Sequence, residues 1–183
     1  MRSAAPEPAG AGSHLWRLTL LVLVVSAIFW LGALNIRAIL GGELLKFGTL
    51  TFEDNLARDA EREIFRLISL TSILVMAAYV VVLFSSIIFL ATSPFRLKEH
   101  GWLMISAILF YLFVPVECFT MWLDGKMIYA QFFATTDTTA FRELFLARLG
   151  ALAGAPLIAQ LCYYTIVVLA VFQPFRRKGG SPV

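Results

Sequence analysis

The sequence predicts an all-α integral membrane protein: a four-transmembrane-helix bundle built from two tandem helical hairpins, a 2+2 parallel pseudo-repeat. Three observations predict it. The first is composition: of 183 residues, 60% are hydrophobic and 15% charged, with a mean hydropathy of +0.82. A soluble domain of this length is about half apolar and about a quarter charged, so the surplus would sit on a soluble fold as large exposed patches. A bilayer removes that difficulty, because lipid solvates those side chains. The second is a set of four apolar runs, each close to the roughly 20 residues that a spanning helix needs. The third is internal similarity. Ser26-Ala27-Ile28 recurs as Ser106-Ala107-Ile108, Arg62-Glu63-Ile64-Phe65 as Arg142-Glu143-Leu144-Phe145, and Pro94-Phe95-Arg96 as Pro174-Phe175-Arg176, always 80 residues apart. A constant offset without gaps is the signature of a tandem supersecondary unit.

Taken in order, residues 1–15 are rich in Ala, Pro and Gly and read as a disordered tail. Hairpin 1 occupies 16–98. Its first span is 16–40, too long for the apolar core of a signal peptide, and Gly41-Gly42 ends it. Residues 41–63 form an outer connector, in which Thr51-Phe52-Glu53-Asp54 resembles a capping box that starts the next helix. Asp54/Arg58, Asp59/Arg62 and Glu63/Arg66 stand at helical pair spacing. The second span, 64–91, follows without a breaker, and Ser93-Pro94 stops it in a short basic turn. Hairpin 2 occupies 99–178. Its third span is 102–123, closed by an Asp124-Gly125 turn. The connector 124–148 carries aromatic residues that suit an interfacial loop. A helix starting near Asp137 or Thr138 continues into the fourth span, 149–172, and Pro174 with Arg176-Arg177-Lys178 ends it. Residues 179–183 are a C-terminal tail. Pro115 and Pro156 are candidate kinks in helices three and four, and Gly150–Gly154 supplies a small-residue segment that permits close helix contact.

Four spans place both termini on one side. Lys and Arg number seven on that side and eight on the other. The basic residues on the terminal side sit in shorter segments, tight against helix ends, which favours cytoplasmic termini by the positive-inside rule. Trp16, Trp102 and Trp122 fall where interfacial aromatic belts lie. The +3 net charge is spread along the chain, without the basic stripe that nucleic-acid binding requires. Lack of N-glycosylation sequons fits a bacterial inner membrane.

Two parallel copies are related by a pseudo-two-fold axis along the membrane normal. Arg37 and Glu117 are then equivalent positions with opposite charges. Ionisable groups at membrane depth face the bundle interior and pair, so an Arg37–Glu117 ion pair is expected, acting as a structural clamp. The competing arrangement has Arg37 snorkelling outward and Glu117 protonated or facing a neighbouring protein. Ser69, Ser72, Met76, Tyr79 and Ser86 share one face of helix two, and Gln160, Tyr163 and Tyr164 one face of helix four. Of these, Gln160, Tyr79 and Tyr163 are the expected interhelical polar contacts. Arg96, Lys98, Arg176 and Lys178 are the expected contacts to lipid headgroups.

Catalytic signatures are absent. The two histidines, His14 and His100, lie outside the span interiors, which excludes bis-histidine haem ligation within the bundle. No HExxH, GxSxG, Walker A or GxGxxG pattern occurs. Cys118 and Cys162 fall inside apolar runs as small hydrophobes. No cofactor and no metal is expected. The expectation is therefore a non-catalytic multi-pass protein whose partners are membrane lipids and either itself or other membrane subunits. A small oligomeric transporter with a polar path near Arg37, Glu117 and Gln160 is the alternative, and a membrane-embedded lipid or quinone enzyme the third.

Overall fold

The computed structural model describes residues 12–174 except 47, 54, 96, 98 and 134–137. Its regular elements are all helical: α1 (Gly12–Gly42), α2 (Arg58–Thr92), α3 (Gly101–Leu112), α4 (Val114–Phe132), α5 (Thr138–Leu149) and α6 (Ala155–Phe172), with a 3-10 turn at Ala151–Gly154 before α6. Four stretches are long and apolar enough to cross a membrane: His14–Gly42, Arg58–Thr92, Gly101–Phe132 and Ala155–Phe172. The fold is thus compatible with a multi-pass membrane protein. α1 and α2 form an antiparallel hairpin in contact along its length, α3 packs on α6, and α4 packs on both α2 and α5.

Several boundaries differ from expectation, each for a local reason. α1 starts at Gly12, so the helix takes in the end of the presumed tail. The Thr51–Asp54 segment does not cap α2. Asp54 lies outside the described residues, Leu45 and Phe52 form a β-bridge, and the helix begins at Arg58 after Ala57, which gives no side-chain cap. Lys46 N–H donates to the Thr51 carbonyl at 2.9 Å and Glu53 N–H to that of Leu44 at 3.0 Å. These bonds join Leu44 and Lys46 to Glu53 and Thr51 across a tight loop, with Gly48 at φ +74°.

Asp124-Gly125 is not a turn. α4 runs through it to Phe132, because Asp124 is buried against two arginines and Met127, 0% exposed, packs into a core further along the helix. The fourth helix, conversely, is two. Pro156 has no N–H to give and its ring conflicts with a continuing helix, so α6 starts there afresh, with proline in its first turn. Gly154 at φ +84° takes the left-handed conformation that the break needs. Gly150–Gly154 therefore makes a turn between helices and not a close helix contact. Pro115 likewise separates α3 from α4 at Phe113.

The interior has two apolar cores. One gathers Trp30, Val75, Tyr79, Val82, Phe110, Ala159 and Tyr163. The other gathers Leu44, Phe65, Ile68, Met127, Phe141 and Phe145. On each of α1, α2 and α4 a polar residue stands between the two.

Candidate functional site

Those polar residues form one buried layer. Arg37 on α1 donates through Nη1 to Asp124 Oδ2 on α4 at 2.6 Å and lies 3.4 Å from Ser72 Oγ on α2. Arg148, in the last turn of α5, donates through Nε to Asp124 Oδ1 at 2.5 Å. The Asp124 side chain is 1% exposed, Arg37 7% and Arg148 13%. One carboxylate thus joins two guanidiniums, tying four helices at one level. The expected Arg37–Glu117 pair is replaced by Arg37–Asp124. The reason is placement: Glu117 sits about two turns before Asp124 on the same face of α4, and Arg37 lies level with the second carboxylate.

Glu117 has a different partner. Its Oε1 accepts from the Tyr163 hydroxyl of α6 at 2.9 Å, and Thr120 Oγ1 lies 3.5 Å from Oε2. Counting Arg37, Arg148, Asp124 and Glu117 as formally charged, the interior cluster is neutral. Arginines without enough carboxylate would be costly at this burial.

The three expected interhelical contacts sort differently. Tyr163 bonds Glu117. Gln160 lies on the flank of the bundle, where its Nε2 donates to Asn35 Oδ1 of α1 at 3.1 Å and Tyr164 donates to the same oxygen at 2.7 Å. Tyr79 is 1% exposed, but its hydroxyl has no partner among the described residues, as is also true of Trp30 Nε1 and Trp102 Nε1. Tyr79 contributes its ring instead, 5.1 Å from Trp30, which also meets Tyr163 at 4.6 Å. Ser72 and Ser86 do bond between elements, Ser86 to the Tyr111 hydroxyl at 2.9 Å. Arg96, Lys98, Arg176 and Lys178 lie outside the described residues.

Beyond the charged layer, α5 is clamped to the start of α2. Arg142 donates to Glu61 through Nε at 2.6 Å and Nη2 at 2.7 Å, and Phe65 stacks on Phe141 at 4.2 Å. The hydrogen bond to Glu61 raises the pKa of Arg142 above that of an isolated arginine. Glu63 and Arg66 form the expected exposed pair at 2.6 Å.

Sequence reasoning missed Asp124, Arg148, Glu61, Arg142 and Asn35. A signal existed for the first. Glu117, Thr120 and Asp124 recur at helical spacing, which places both carboxylates on one face, but a following glycine made Asp124 read as a turn. Among the described residues no three of His, Cys, Asp and Glu come together as a metal site would require. Compared with protein-family models, curated proteins and solved structures, the chain matches none of them.

Proposed function

We propose that this chain is a multi-pass protein of the cell (inner) membrane, both termini cytoplasmic, serving without catalysis as an association or accessory subunit of a membrane complex. Depth supports the embedding. Arg37, Ser72 and Asp124 stand about 20 residues from Arg17, Thr92 and Trp102 respectively, a distance of about 30 Å along a helix and equal to the hydrocarbon thickness. The charged layer then marks the outer boundary. The core around Trp30 lies in lipid, and the core around Phe65 forms an outer cap. Repetition is supported by the bounds of α2, Arg58–Thr92, which reappear 80 residues on as Thr138–Phe172, the start of α5 and end of α6. Ser26 and Ser106, equivalent positions, bond the carbonyls of Val22 and Trp102 in the preceding turn alike.

The observation that carries the association reading is a contrast. The buried charges spend themselves on one another, as structural clamps do, while much apolar surface faces outward. Only 11% of the α6 span is buried, and Phe119, Trp122 and Tyr129 lie exposed in one file on α4, with exposed Phe133 just past its end. Purification in mild detergent followed by native mass measurement tests this. A mass above one chain, or a co-purifying membrane protein, is expected; a lone chain in native membranes and in detergent rejects the reading. A transport path through Arg37, Glu117 and Gln160 is less well supported, because Gln160 lies on the α1–α6 flank. Flux in liposomes that is lost in Glu117→Gln would restore it.

A further inference from the structure

The reading above leaves the partner open, and two uncovered faces compete for it. The file on α4 carries Lys126, whose ammonium lies 3.6 Å from the centre of the Trp122 ring. A second copy placed on this file about a two-fold axis would bring two lysines together, and like charges at a symmetric seam oppose pairing.

The other face is the seam between α1 and α6. Its polar members are Asn35, Gln160 and Tyr164, with no charged residue among them. Asn35 is exposed, and Tyr164 is 38% exposed. Asn35 Nδ2 donates back to the Leu31 carbonyl of its own helix at 2.9 Å, and its Oδ1 receives both Gln160 and Tyr164. Both hydrogen bonds of Gln160 use Nε2, so its Oε1 is without a partner among the described residues. On the depth scale given above, Gln160 lies about five residues, or roughly 7 Å, inside the outer end of α6. An amide oxygen at that level of a lipid-facing seam gains from a hydrogen-bond donor on a neighbouring helix. One turn below Asn35 is Gly32, exposed, with nothing within 4 Å of the position its Cβ would take. The slot lets another helix approach closely.

We propose that this seam is the interface of a parallel homodimer, resting on the association reading and naming its partner as a second copy of this chain. The chemistry is self-complementary. Among the described residues, each seam holds one unpartnered carboxamide oxygen and one Asn35 N–H beyond the one given to Leu31. Under a two-fold axis each copy's donor meets the other's acceptor, as an isologous interface requires. Aliphatic neighbours complete the face: Ile28, Ile36 and Ile39 on α1 and Leu157, Leu161 and Val168 on α6, each at least 53% exposed.

The test uses the full chain with Cys118→Ser and Cys162→Ser, in native membranes. Oxidation should link Gly32→Cys into a dimer and leave Trp122→Cys monomeric. In lipid dilution measured by energy transfer, Gly32→Ile should weaken the dimer about tenfold or more, and the Cβ it adds has no described atom of its own chain within 4 Å. Native mass of the unsubstituted protein separates the two claims. Two chains with the Gly32→Cys cross-link support the proposal. Two chains that link through Trp122→Cys and not Gly32→Cys overturn it. A single copy accompanied by a different protein overturns it and leaves the association reading standing, and a single copy alone ends both.

Discussion

At the scale of single residues, Asp124 matters most. Among the described residues it is the only carboxylate bonded to both Arg37 and Arg148. Asp124→Asn should cost about 3–5 kcal/mol, the usual result of stranding buried charge, read by denaturant titration in detergent micelles. Arg37→Met with Asp124→Leu should lose less than the two single changes summed, because neither partner is then left alone. Two tyrosines give a sharper comparison. Tyr163→Phe removes a donor from Glu117 and should cost about 1.5–3 kcal/mol, as for bonds to charged groups. Tyr79→Phe removes a buried hydroxyl that has no partner among the described residues and should be neutral or stabilising by about 1 kcal/mol in the same titration. Equal losses from both would show that the rings, and not the hydroxyl bonds, set the effect.

At the scale of elements, glycine separates a required bend from a tolerated one. Gly154 stands at φ +84° with no atom near its missing Cβ. Gly154→Ala should therefore destabilise by about 1–2 kcal/mol through backbone conformation alone. Gly125 lies inside α4 with equally open surroundings, so Gly125→Ala should stabilise by about 0.5–1 kcal/mol. Thermal melts of the two variants should move in opposite directions. The sequence marked Pro156 as a kink in a continuing helix and Gly150–Gly154 as a close-contact segment, because a proline marks a kink and a chain break alike. What makes it a break is the Glu61–Arg142 clamp with the Phe65–Phe141 stack, which holds α5 on α2 independently of α6.

At the scale of the whole molecule, the proposed embedding makes the charged layer the divide between a lipid-embedded part and an outer cap. With cytoplasmic termini, as proposed, the loop through Thr49 is expected outside and the C-terminus inside. A membrane-impermeant thiol reagent should label Thr49→Cys on intact cells in the background without native cysteines. A cysteine added after Val183 should react only after the membrane is opened. Reversed labelling would invert the orientation and assign the basic helix ends to the outer face.

Composition and run length alone established an all-helical chain with four spanning-length helices, because burial against lipid needs only enough consecutive apolar side chains. The same patterns marked Arg37, Glu117, Tyr163 and Gln160 as groups requiring partners, since isolated polar groups in such runs are costly. Which partners they take was decided by the tertiary structure. Hydrogen bonds form over about 3 Å, whereas one residue of helix moves a side chain by about 1.5 Å in height and about 100° in direction. Small differences in packing therefore sent Arg37 to Asp124, Glu117 to Tyr163 and Gln160 to Asn35. No periodicity in the chain carries that register between helices; only their docking does.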